Sequence, residues 1–212
     1  MTPVSSFPTL IASVLFSGIL VNWLIYRWQY RNWINQQRLT RAGNELVELK
    51  KLADTIRALS DARNYRARKV CRSIGAVSNE ELQDLRRQHD VAVTNWNDQW
   101  NYFCVGLTLY ADFVGFSKRL ESGLQSRFVK AGGLLKYCLD HSDSADLIYA
   151  KKELEEVLNA ISGETFNFSR DLQNLIRGKE QDAYSDPKEQ ITRANLHQIS
   201  TFELLKGLFK PV

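Results

Sequence analysis

Between Thr9 and Lys210 the chain contains one proline, Pro187; the other three, Pro3, Pro8 and Pro211, lie near the ends. Asn-Gly and Asp-Gly, the dipeptides of tight hairpins, are absent. A chain of 212 residues with so few breakers and abundant helix formers is poorly suited to short paired strands. The expected fold class is all-α: a single N-terminal transmembrane helix continuing into a cytoplasmic antiparallel bundle of three or four long helices. Three segments are expected: an anchor at 1–26, a basic stalk helix at 27–75, and a bundle body at 76–212 that packs with the stalk.

The anchor expectation rests on residues 7–26, which carry no charged side chain. The run matches the roughly 20 residues an α-helix needs to cross about 30 Å of hydrocarbon. It lacks the basic start and small-x-small end of a cleaved signal peptide. Arg27, Arg31, Arg38 and Arg41 follow it and no cationic side chain precedes it. By charge bias the N-terminus is expected outside and the rest in the cytoplasm, at a cell membrane of the bacterial inner-membrane type. Trp23, Tyr26, Trp28, Tyr30 and Trp33 would form an interfacial belt, with Arg27 and Arg31 reaching anionic headgroups.

Beyond the run, Leu39, Leu46, Leu49, Ala53 and Ile56 recur at helical spacing and form a candidate seam of coiled-coil type for self-association. The helix is expected to end near Ile74, with Gly75 at the C′ position. Ser78 and Glu81 read as a capping box opening a second helix to about Asp140, with Gly132 and Gly133 as a flexible point. A third helix is expected from about Ala145 to Arg177, bending at Gly163. A fourth opens at Asp186-Pro187. Residues 99–117 hold one charge, Asp112. They read better as a buried central helix than as a second span, because Asn101 and Asp112 are costly at bilayer depth. Trp96, Trp100, Phe103, Tyr110, Phe113 and Phe116 are then aromatic core.

Residues 27–75 carry 12 Lys/Arg against 4 Asp/Glu. Within this arm Arg63, Arg66, Arg68, Lys69 and Arg72 form a candidate docking cluster for an anion or an acidic partner. A straight helix would carry Arg63 about 54 Å beyond Arg27, too far for lipid contact.

No catalytic or metal motif is present. His89, His141 and His197 lie in separate segments, Glu80-Glu81 and Glu155-Glu156 point about 100° apart on helices, and no phosphate loop occurs. Cys71, Cys104 and Cys138 are widely spaced and suit small core positions. Neither enzyme nor cofactor is expected. The function these features support is a membrane-anchored helical adaptor or scaffold that self-associates or docks a helical protein. Two alternatives are a membrane effector triggered by a ligand at the 63–72 cluster, and a membrane tether for nucleic acid, the less favoured partner.

Overall fold

The structure, a computed structural model, describes residues 6–111, 114–142 and 144–184, with side chains at 17–111, 115–142 and 144–181. Those residues contain no strand, and the all-α expectation holds. The chain divides into two compact units, Met1–Asn44 with Gln181–Val212, and Glu45–Glu180.

Helix α1 runs Ser6–Ser73 without interruption. It stops where the sequence signals it should: Gly75 takes φ +74°, a conformation that costs a residue without Cβ little. Lys151 Nζ then donates to the Ile74 carbonyl at 2.7 Å, meeting the negative end of the helix. Helix α2, Asn79–Asp98, opens on Ser78, whose hydroxyl accepts from the Glu81 amide at 3.3 Å.

The single second helix expected to Asp140 is interrupted. Helix α3, Trp100–Tyr110, begins after a break at Gln99, where φ −89° and ψ −4° interrupt the regular helix. After it come α4, Val114–Arg119, a π-helical turn, Leu120–Gln125, and α5, Ser126–Asp140. Gly132 and Gly133 lie inside α5, not at a break. Helix α6, Leu147–Tyr184, passes through Gly163 and Gly178. The helix expected from Asp186 lies outside the described residues.

Contacts within Glu45–Glu180 set an antiparallel order. Along α1 and α6 the paired positions run in opposite directions: Lys50 with Glu180, Ser60 with Thr165, Asn64 with Ser162, and Lys151 with Ile74. Arg66 meets Gln88, and Leu52 closes on Gly106, so α2 and α3 together run back along α1. Lys130 pairs with Glu153 and Arg127 with Glu164, so α5 and α6 are antiparallel as well. The core holds Leu49, Leu52 and Ile56 of α1, Trp96, Phe103 and Leu107 of α2 and α3, Leu120, Leu124 and Phe128 of the π-helical turn and α5, and Leu154, Leu158 and Phe168 of α6. Trp96 is its centre, with ring centroids 5.3 Å from Phe103 and 5.1 Å from Phe128. Trp100, Tyr110 and Phe116 pack against its edge, and Phe113 lies outside the described residues.

One group of expectations is overturned. Among the described residues, no helix is long and apolar enough to cross a membrane. The transmembrane, single-pass and inner-membrane assignments therefore fall. So do the outside N-terminus and the cytoplasmic placement, because charge bias orients only a spanning helix, and none is found among the described residues.

Candidate functional site

Helical geometry splits the basic cluster. Arg63 and Arg66 are three residues apart and share a side of α1, whereas Arg68 and Arg72 project from the other. Arg66 donates to the Gln88 side-chain oxygen on α2. Arg68 reaches α6 instead, donating to Asn159 Oδ1 at 2.8 Å and Ser162 Oγ at 3.3 Å. Lys69 and Arg72 are exposed. Of five cations close in sequence, Arg66 and Arg68 thus meet different helices, and Lys69 and Arg72 lie at the surface.

Arg63 is the unusual member. It is only 7% exposed and, among the described residues, is the one charged side chain in the buried class. Its guanidinium lies over the Phe128 ring, 4.3 Å from the centroid. It forms no ion pair with the described residues, and buried Nη1 finds no acceptor among them. Burial lowers its pKa to about 10, still charged at neutral pH. His89 of α2 is its neighbour. Burial pushes the imidazole below its ordinary value, the nearby Asp90 carboxylate pulls the other way, and Arg63 adds repulsion.

The expected self-association seam is occupied from within. Leu46, Leu49, Ala53 and Ile56 are buried in the chain's own core, and Leu39 is half-buried. Apart from Val47 and Tyr65, the large apolar side chains left exposed on α1 stand earlier, among them Ile19, Tyr26, Trp28, Tyr30 and Trp33. Tyr30 and Trp33 stack with centroids 6.3 Å apart, and the Arg27 guanidinium lies 5.4 Å from the Trp23 ring centre. Arg27 and Arg31 are half-buried.

Two further arrangements had no local signal. Arg119 donates to Glu164 at 2.8 Å and to Asp171 at 2.6 Å, and Arg127 donates to the other Glu164 oxygen at 3.1 Å. This cluster clamps the two ends of the π-helical turn to α6. The spacing of 119 and 127, and of 164 and 171, suits two helical faces, but only the tertiary register pairs them. The second is an open cleft of about 530 Å³ between Lys51, Thr55 and Leu59 on α1 and Asn95, Asp98, Gln99 and Tyr102 at the α2–α3 junction.

None of these arrangements assembles a nucleophile beside a base. His141 Nδ1 sits 3.1 Å from the Tyr137 carbonyl, and the neighbouring Asp143 and distant His197 lie outside the described residues. Among the described residues no group of three or more His, Cys, Asp or Glu could hold a metal ion.

No family model matches the chain. No solved structure matches it either. A biotin synthase of Methanococcus vannielii is 27% identical over an alignment of 143 residues that covers 62% of this chain. The chain spans 42% of that relative's length, so the similarity is partial and shows no family.

Proposed function

We propose that this chain is a helical adaptor that works through protein–protein contact and self-associates along the N-terminal part of α1. The observation that carries this reading is a stripe of exposed apolar and aromatic side chains. Ile19, Tyr26, Tyr30 and Trp33 are 70%, 68%, 49% and 57% exposed. Their spacings of seven, four and three residues place them within about 60° on one side of the helix. A stripe with that period is what a second helix packs against, and monomeric proteins rarely leave so much contiguous apolar surface in water. The most economical partner is the same stripe on a second copy, because a two-fold pairing makes one surface serve both sides.

A binding role also fits contacts such as Ser60–Thr165 and Arg119–Glu164, which hold polar side chains of the body against one another. The partial similarity to an enzyme leaves this non-catalytic reading a proposal. Mass measurement of the full chain by light scattering tests it. A dimer or larger species is expected at micromolar concentration. Tyr26→Glu with Tyr30→Glu should return the monomer, since like charges facing each other across the stripe repel. A wild-type protein that stays monomeric, or a double variant of unchanged mass, overturns the reading.

A further inference from the structure

A buried cation without a counter-charge costs several kcal/mol, and proteins rarely leave one unless something else neutralises it. Arg63 is such a group, with no carboxylate within ion-pair distance among the described residues. The neighbouring acids are otherwise engaged. Asp84 accepts from Gln88 Nε2 at 2.7 Å and from Arg87 at 3.4 Å, while Asp90 lies 3.4 Å from His89 Nδ1 and is 78% exposed. Arg66 meets Gln88 where α1 faces α2, and Arg63, one turn earlier on the same side of α1 with its guanidinium on Phe128 of α5, repels a proton at His89.

Helix α2 covers this group. Of the 20 residues of α2 only Leu85 and Trp96 are buried. Every residue between those anchors is half-buried or exposed. Between them the His89 side chain is 14% exposed and Gln88 is held by Arg66, so solvent reaches Arg63 when α2 opens locally at His89.

We propose that Arg63 and Arg66, beneath the middle of α2, form a binding site for a tetrahedral oxyanion, a phosphate group. Two planar donor forks one helical turn apart need more acceptors than the two oxygens of a carboxylate offer. A phosphate presents three or four, with a charge that offsets both cations. Gln88, fixed by Asp84 on one side and Arg66 on the other, keeps Arg66 pointed along the α1–α2 interface. The site is independent of the self-association stripe, which lies in the other compact unit.

Thermal melting of the full chain tests the site. Sodium phosphate at 10 mM, compared with sodium chloride of matched ionic strength, should raise the midpoint by about 3 °C, the shift expected for a millimolar site in a chain of this size. In phosphate the His89 ring resonances should titrate at higher pH, because the bound anion offsets the repulsion from Arg63. Arg66→Gln should weaken the phosphate response at least tenfold, and Arg68→Gln, on the other side of α1, should leave it intact. Arg63→Met should abolish it while melting no lower than wild type in chloride. Adenosine monophosphate separates the sources: a larger shift than inorganic phosphate assigns a nucleotide, and an equal or smaller one a free phosphate. Equal melting in phosphate and chloride, or a response that survives Arg63→Met, overturns the proposal. If Arg63→Met does not fold, an undiminished response in Arg66→Gln overturns it.

Discussion

Trp96 Nε1 donates to Gln125 Oε1 at 2.8 Å, so the indole at the centre of the core is satisfied by the last residue of the π-helical turn. The extra residue in a π-turn shifts the helix face that follows it, and here it brings an amide oxygen to a donor that has no exposed surface. Gln125→Leu should therefore cost about 1–3 kcal/mol, the penalty for a buried donor left unpaired. Gln125→Glu, which keeps an acceptor, should cost less. Denaturant midpoints at constant m measure the difference.

Two glycines should respond in opposite senses to alanine. A Cβ on Gly106 would stand 3.0 Å from Leu52 Cδ2, where α3 closes on α1. Gly106→Ala should destabilise by about 1–3 kcal/mol through overpacking. Gly163 lies within α6 with no heavy atom within 4 Å of an added Cβ. Gly163→Ala should stabilise by about 0.5–1 kcal/mol by removing backbone freedom from the unfolded chain. Thermal melting of the two variants reads both signs.

Acidification should act in two separate windows. Burial lowers the His89 pKa more than Asp90 raises it, so the unfolded chain takes up that proton first. Stability is lost as pH falls below the ordinary imidazole value of about 6.5, and levels off below the lower folded value. His89→Gln should flatten this step. Burial pushes the Glu164 carboxyl up, but the Arg119 and Arg127 guanidiniums outweigh it and leave its pKa lowered. Its contribution is present above the ordinary Glu value of about 4.3 and is lost as pH falls through the folded value. Glu164→Gln should remove this second step and cost about 1 kcal/mol at neutral pH, a modest loss because both guanidiniums reach solvent. Melting temperature against pH for the three proteins separates the windows.

The cysteines should differ in reactivity. Cys71 and Cys138 are buried and Cys104 is half-buried. Burial raises all three thiols, and at Cys71 the neighbouring Cys138 raises it further. Native protein at pH 8 should be alkylated first at Cys104, with Cys71 and Cys138 labelled only as fast as the chain opens. Mass spectrometry after timed alkylation gives the order.

The helices and some of their ends were legible in the residues because their causes are local. The stop at Gly75 and the Ser78 cap are set by groups within a few positions, and the Leu46–Ile56 periodicity marks one side of α1 as core. What covers that side is a question of which helices stack, and the stripe that reads as a self-association seam is filled by the chain itself. The same limit applies to the basic cluster. Sequence places Arg63, Arg66 and Arg68 within six residues, and helical geometry spreads them round α1. Only the packing of α2, α5 and α6 decides that Arg63 is buried on Phe128, Arg66 meets Gln88 and Arg68 meets Asn159.

By itself, then, the sequence determined that this chain is helical and where α1 ends and α2 begins. Propensity, proline placement and caps act over a few residues, and nothing distant opposes them. The tertiary structure decided the break at Gln99, the π-helical turn, the pairing of Glu164 with two arginines, and the burial of one cation among five. Those depend on through-space register between segments as far apart as Ser60 and Thr165, whose hydroxyls meet at 2.6 Å. Such a contact leaves no periodic trace in the residues that make it.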